Sequence, residues 1–167
     1  MPQIHYFMKK YYHLLIAVFL LVSCTEDVRF NTPAFQGLKD NVFWRAQSYK
    51  ARMETSGIFV VEGSLGYEKV IFRLPSSAEK TYVLGVNNTT TASYSNTLPG
   101  QLLEFTTGTS KGDGQVVITE YNIENQTISG TFKFKAFNID EKNLEKPEIN
   151  FTEGVFYKIP VSPNLEY

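Results

Sequence analysis

Residues 114–137 read GQVVITEYNIENQTISGTFKFKAF, and this stretch decides the fold class. In its second half Phe132, Phe134 and Ala136 alternate with polar residues, which is the period-two pattern of a strand with one buried face. The mostly polar segment 122–126 separates this run from an earlier one and is typical of a short turn. The stretch therefore predicts two antiparallel strands joined by a hairpin.

Similar runs rich in Val, Ile, Phe, Tyr and Thr recur along the chain after residue 42. At 42–53 a helical stripe is also possible, but Phe43 and Trp44 favour extended chain. The pattern predicts an all-β, antiparallel, meander-type β-sandwich, with an up-and-down, lipocalin-like barrel as the alternative. We predict about nine strands, near 42–48, 58–63, 68–74, 80–86, 91–95, 101–107, 115–121, 127–137 and 150–160.

The first residues have the layout of a secretory signal peptide. Lys9 and Lys10 precede an apolar run at 14–22, which at nine residues is about half of the ~20 needed to cross a bilayer as a helix. We therefore predict that 1–23 is removed on export. Met8, directly before the two lysines, is an alternative start of translation.

The end of this segment resembles the lipobox of bacterial lipoproteins, with Leu21, Val22 and Ser23 before Cys24. The resemblance implies cleavage before Cys24 and a diacylglyceryl group on its sulfur. Two or three acyl chains anchor a protein stably where one is marginal. The alternative is an ordinary signal peptide; however, Cys24 is the only cysteine and has no disulfide partner.

Residues 24–31 form a short acidic tether, and 32–167 are expected to fold as a single all-β domain. Glu26 and Asp27 resemble the surface-export signal of Bacteroidota lipoproteins, with a plain acidic linker as the alternative. The expected location is the outer membrane, lipid-anchored, on its periplasmic or cell-surface face.

The residue types left after cleavage exclude several kinds of chemistry. The processed chain would carry 14 basic and 17 acidic residues, which gives no reason to expect nucleic acid as a partner. Both histidines, His5 and His13, precede Cys24, which rules out Ser-His-Asp, Cys-His and the usual His or Cys zinc sites in the processed protein. We predict no cofactor, no metal site and no enzymatic activity. Asp113, between Gly112 and Gly114, and Asp140 with Glu141 are weak calcium candidates, and both are more simply explained as turns.

Carboxylates and aromatic rings are the functional groups that remain. A pair of carboxylates could cleave a glycosidic bond, and the strand candidates are Glu62, Glu104, Glu120 and Glu153. Among the aromatic residues we expect Trp44 to anchor the core. Tyr94 is the candidate ligand contact, because it lies in the most polar predicted strand.

Three segments carry a family resemblance: 114–137, NFTEGVFYKIPV at 150–161 and FWRA at 43–46. The chain resembles an uncharacterised lipoprotein family of Bacteroidota, classed as a domain of unknown function, most strongly in ISGTF at 128–132 followed by TEGVF at 152–156. The resemblance implies a cell-envelope protein with a β fold and adds no catalytic signature. The leading hypothesis is an outer-membrane lipoprotein with a non-catalytic binding or scaffolding domain. The alternatives are a glycan-handling hydrolase and an accessory of surface nutrient uptake.

Overall fold

The computed structural model describes residues 32–162, and these form eleven strands. Within this range no residue is helical, and so no helix is long and apolar enough to span a membrane. The strands are β1 (Ala34–Lys39), β2 (Val42–Arg45), β3 (Ser48–Met53), β4 (Phe59–Leu65), β5 (Glu68–Leu74), β6 (Thr81–Leu84), β7 (Thr91–Asn96), β8 (Leu103–Thr106), β9 (Asp113–Asn122), β10 (Thr127–Asn138) and β11 (Glu148–Ser162).

The predicted all-β, sandwich-like class is confirmed, but there are eleven strands instead of about nine. One additional strand is β1, whose alternation is hidden by the preceding proline and by Gly37 in its middle. The other arises at 42–53, which is extended as predicted but divided into β2 and β3. The Ala46 amide donates to a β1 carbonyl at 2.8 Å, and the Gln47 amide donates to Ser64 in β4 at 2.8 Å, so the chain changes partner between them.

All strands belong to one mixed sheet, in the order β2-β1-β11-β3-β4-β5-β7-β8-β10-β9-β6, with a further pairing between β10 and β11. Strands adjacent in sequence pair antiparallel from β3 to β5 and from β9 to β11, as a meander predicts. The strand order departs from a simple meander at β6, which pairs with β9 instead of β5, and at β11, which lies between β1 and β3. Its pairing with β3, through Val161 and Ser162, is parallel.

Two bulges allow β11 to border three other strands. Glu153 and Lys158 have φ angles of 52° and 48°, and the register with β10 shifts beside each of them. An extra residue of this kind bends the strand that carries it. The amide that the second bulge frees from the ladder, that of Lys158, donates to the Ser129 hydroxyl at 3.1 Å.

Aromatic rings fill the interior. Phe35 lies at the centre, with its ring centroid 5.9 Å from that of Trp44, 5.7 Å from Phe72 and 5.2 Å from Phe132. Trp44 is 2% exposed, which confirms it as a core residue. The alternation predicted for β5 and β10 is also confirmed, because their apolar residues are mostly buried and the residues between them are exposed or half-buried.

Two glycines of β10 and β11 lie directly under phenylalanine rings. Gly130 is opposite Phe156, and Gly154 is opposite Phe132. A methyl group on either glycine would enter the ring that faces it. The two pairs are reciprocal, since each strand contributes one glycine and one ring, and rings placed over glycines in this way fix the register of neighbouring strands.

Ion pairs cover the outer face of β3 and β4. Glu62 accepts a hydrogen bond from Arg52 at 2.8 Å and pairs with Lys50 at 3.1 Å. Burial alone would raise the pKa of the Glu62 carboxyl, but the hydrogen bonds and charges of Arg52 and Lys50 outweigh it and hold the pKa below the ordinary 4.5.

This lowered pKa predicts a pH dependence of stability. The ionised form of Glu62 is favoured in the folded state, so its contribution is present above about pH 4.5 and is lost as pH falls through the folded-state pKa. We expect Glu62→Gln to lower the free energy of unfolding at pH 7 by up to about 1 kcal/mol and to have little effect in acid. Urea unfolding at pH 7 and pH 3 measures this, with the exposed Glu120→Gln as the control. Equal losses for Glu62→Gln at both pH values would contradict the assignment.

The connections gather at two ends of the fold. At the end that we call the loop end, Lys146 pairs with Asp40 at 2.6 Å and the Thr97 amide donates to Tyr67 at 3.0 Å. The first contact joins the turn 40–41 to the segment 139–147. The second joins the turn 66–67 to the segment 97–102. At the opposite end, the entry end, the described chain enters β1, and β11 finishes beside the start of β10.

Candidate binding grooves

The first groove lies at the loop end and has a volume of about 380 Å³. This is within the size range of small-molecule sites, roughly 300–1,000 Å³. Its lining is mixed, with one aromatic ring, one proline, amides, carboxylates and a lysine: Ser110, Lys111, Phe137, Asn138, Asp140, Glu141, Asn143 and Pro147.

Asn138, the last residue of β10, builds the wall of this groove. Its side chain is buried, with the amide nitrogen donating to the Lys146 carbonyl at 2.9 Å and the amide oxygen accepting the Asp140 N–H at 2.9 Å. Its backbone amide donates to the Pro147 carbonyl at 2.8 Å. Three hydrogen bonds from one residue therefore hold both sides of the 139–147 connection in place.

Asp140 and Asn143 each use one side-chain atom for the loop. Asp140 Oδ1 accepts the Lys142 amide at 3.1 Å, and Asn143 Oδ1 accepts the Lys146 amide at 3.2 Å. Within residues 32–162, Asp140 Oδ2 and the Asn143 amide nitrogen have no hydrogen-bond partner. Each residue thus keeps one polar side-chain atom that the loop does not use, an acceptor on Asp140 and a donor on Asn143, and both residues line the groove.

A second groove, of about 330 Å³, lies on the other side of the same turn. It shares Asn138, Asp140 and Asn143 with the first groove, and it is more apolar because Leu102 and Ile139 stand exposed beside it. Its other lining residues are Ser95, Asn96, Thr97, Leu103 and Glu104.

A third depression, of about 200 Å³, lies at the entry end. It is lined by Met53, Phe59, Tyr121, Ile123, Gln126, Val161 and Ser162. These side chains are mostly apolar and provide few groups that could orient a ligand.

A polar cluster lies inside the loop end. Lys39 Nζ donates to both carboxylate oxygens of Glu68 at 2.7 Å, and the Trp44 indole N–H donates to Glu68 Oε2 at 2.7 Å. Lys39 also reaches the Tyr94 hydroxyl at 3.3 Å. One carboxylate therefore holds an ammonium and an indole N–H, and the cluster joins β1, β2, β5 and β7.

Tyr94, the candidate ligand contact, belongs to this cluster and is only 4% exposed. Its ring packs on Phe105 and Phe151, at 5.9 Å and 5.8 Å between centroids. Burial, followed by the negative charge of Glu68, raises the pKa of the Tyr94 hydroxyl, which therefore stays protonated. Ligand contact by Tyr94 stays a prediction, while the observed contacts are those of a core residue.

Glu68 is expected to be the residue on which this cluster depends most. Glu68→Ala would leave Lys39 and the Trp44 indole N–H without their shared acceptor, and we expect a loss of about 2–3 kcal/mol in the free energy of unfolding. Glu68→Gln keeps one acceptor oxygen and should lose less. Denaturant unfolding of both variants measures the difference. An alanine variant as stable as the wild type would show that the cluster contributes nothing net.

The structure separates the four candidate carboxylates. Glu62 is held in surface ion pairs, Glu104 lines the second groove, and Glu120 and Glu153 are exposed on strands. Asp140 lies in a turn, in which its carbonyl accepts the Asn143 amide at 3.0 Å. A turn is the alternative that we gave to a calcium site. Within residues 32–162 no group of three or more His, Cys, Asp or Glu is arranged to hold a metal ion.

The lipobox lies outside the described residues. Leu21, Val22, Ser23 and Cys24 all precede residue 32, as do Glu26 and Asp27 of the acidic tether. Lipid attachment, cleavage and surface export therefore stay predictions from the sequence.

The sequence analysis did not identify Phe137 or Asn143 as candidate site residues. A signal was available: Phe137 occupies an outward position of β10, where the alternating pattern calls for a polar residue. Asn143 gave no such signal, because its role depends on a hydrogen bond within the folded loop.

No curated protein and no solved structure shows significant similarity to this chain. One family model, described as Domain of unknown function (DUF6252), matches residues 31–160, which is most of the chain. The match ends within β11 and includes all ten preceding strands and the residues of both loop-end grooves. The chain therefore belongs to the DUF6252 family.

Proposed function

We propose that this protein is a lipid-anchored outer-membrane lipoprotein of the Bacteroidota envelope whose β domain binds another envelope or extracellular component without chemical turnover. The lipobox ending at Cys24 supports the anchor. The two loop-end grooves, which share the turn at 138–143, support the binding role.

The observation that carries the proposal is the position of these grooves relative to the start of the domain. The chain enters β1 at Ala34, which pairs with Tyr157, whereas the other end of β1, Lys39, pairs with Phe151 near the loop end. A lipid on Cys24 would connect to the entry end through residues 25–33, which extend at most about 30 Å. The grooves would then be presented on the side of the domain away from its attachment.

Site-specific photo-crosslinking in intact cells tests this arrangement. Leu144 at the loop end is 83% exposed, and Ile123 at the entry end is 77% exposed, so the two positions are matched apolar sites for a photoreactive residue. We expect a defined adduct from position 144, none or a different one from position 123, and the protein in the outer-membrane fraction. A soluble protein, or identical adducts from both positions, would contradict the proposal.

One observation favours a second function, a glycan-handling hydrolase. Glu104 and Asp140 line the same groove, as two carboxylates of a glycosidase would. This function predicts release of reducing ends from a polysaccharide and its loss in both Glu104→Gln and Asp140→Asn. If the wild type and both variants bind the polysaccharide but release no reducing ends, the non-catalytic function is the better account.

A further inference from the structure

Phe137 gives the first groove a rigid apolar surface. It lies on β10, where it pairs with Thr106 of β8 on one side and Glu148 of β11 on the other. Its neighbours Ala136 and Asn138 point inward and are buried, while Phe137 points outward and is 37% exposed. Pro147 lines the same groove and is tied to the end of β10 by the hydrogen bond from Asn138.

Polar side chains line the same groove as this ring. Asp140 offers a carboxylate oxygen that can accept a hydrogen bond, and Asn143 offers an amide N–H that can donate one. Glu141 and Lys111 add a further acceptor and a further donor at the margin of the groove. Because the loop's own hydrogen bonds fix Asp140 and Asn143, a ligand would bind them with little loss of side-chain freedom.

The charges in the groove select among ligands. Among the residues of 32–162 that line the groove, Asp140 and Glu141 are anionic and Lys111 is the one cation, so an anionic ligand would meet more negative than positive charge. A wholly apolar ligand would bury the free donor and acceptor without partners, which costs about 1–3 kcal/mol for each group. The groove is therefore suited to a neutral molecule that combines an apolar face with closely spaced hydroxyl groups.

A pyranose ring has these properties, since one face presents C–H groups and its edge carries vicinal hydroxyls that both donate and accept. We propose that the first groove binds a neutral saccharide, with the C–H face of one sugar on the Phe137 ring and its hydroxyls on Asp140 and Asn143. This inference rests on the proposed binding function and specifies the ligand class for one of its grooves.

Ligand-observed NMR titration of the full-length chain, in a detergent without a sugar headgroup, tests the inference. The neutral probes are cellotriose and maltotriose, the anionic probe is trigalacturonic acid, and the peptide probe is trialanine. We expect at least one neutral trisaccharide to bind with a Kd of about 1 mM, and the anionic and peptide probes to bind at least about tenfold more weakly.

The variants locate the binding. Phe137→Ala should weaken binding about tenfold or more, and Asn143→Ala should weaken it several-fold. Phe43→Ala is the matched control, because Phe43 is a second outward-facing phenylalanine, 63% exposed on β2, that does not line the first groove. Unchanged unfolding midpoints for all three variants would show that the folds are comparable.

Three results would overturn the inference: no binding of either neutral probe, equal binding of the anionic probe, or equal weakening by Phe43→Ala and Phe137→Ala. Failure here is distinguishable from failure of the proposed function, because the crosslink expected at position 144 requires no particular ligand class. A specific adduct at 144 without saccharide binding would retain the binding function and remove the saccharide.

Discussion

Gly130→Ala is expected to lower the free energy of unfolding by about 3 kcal/mol or more, because the added methyl group would meet both the Val117 carbonyl and the Phe156 ring. Gly154→Ala should have a comparable effect through the ring of Phe132. Both rings are in the packed core, so neither can move aside without displacing others. Two losses of this size, about 6 kcal/mol together, are a large part of the total stability of about 5–15 kcal/mol that is usual for a domain, so the double variant should be close to unfolding or unfolded.

Urea unfolding of the single variants measures these losses. Thr131→Ala is the control. Thr131 lies between Gly130 and Phe132 on β10, but its side chain is on the exposed face, where substitutions usually change stability by less than about 0.5 kcal/mol. A second comparison uses Gly154→Ala combined with Phe132→Leu, in which a smaller side chain faces the new methyl group and should restore part of the loss. Wild-type stability in Gly130→Ala would mean that the glycine–phenylalanine pairs do not determine this packing.

Cys24→Ala is expected to abolish lipid attachment completely, because the thioether requires the cysteine sulfur. The variant should incorporate no labelled palmitate and accumulate as uncleaved precursor, since cleavage at a lipobox follows lipid addition. Metabolic labelling, electrophoretic mobility and membrane fractionation measure the three effects. Ser23→Ala is the control, because alanine is also a small residue and should leave processing intact.

Normal cleavage and membrane retention of Cys24→Ala would show that the segment is an ordinary signal peptide or that another element holds the protein. A folded domain is expected in either case, because residues 32–162 form the sheet and its core without Cys24.

Local patterns predicted the strands whose two faces differ. β5 and β10 were predicted within one residue at each end, because buried and exposed side chains alternate along them. The pattern failed at β1, where Gly37 removes a side chain from the alternation. The alternating pattern also failed to locate the break between β2 and β3. That break depends on the strands that accept the amides of Ala46 and Gln47, which are β1 and β4.

The partners of β11 could not be predicted in the same way. Its sequence indicates a strand, but nothing local specifies that it borders β1, β3 and β10. The two glycines illustrate the same limit, since Gly130 and Gly154 are conspicuous in the sequence while the rings above them depend on the register of β10 against β11.

The candidate site depended even more on the folded loop. The sequence identified carboxylates and aromatic residues, but Tyr94 proved to be in the core and Phe137 on the surface. The position of a residue in the alternation along its strand decides the face on which its side chain lies, and the polarity of the strand around Tyr94 did not indicate that face. Asp140 can offer an acceptor and Asn143 a donor in the same groove because the buried Asn138 side chain holds their loop in place.

The position of β11 has a consequence for the order in which the protein can fold. β1 and β2 precede the other strands of residues 32–162, yet β1 borders only β2 and β11 in the sheet, so this hairpin has no further strand to pair with until β11 has been made. Native pairings between strands that are far apart in the sequence form slowly. A growing chain would therefore keep this hairpin outside the sheet until β11 has been made.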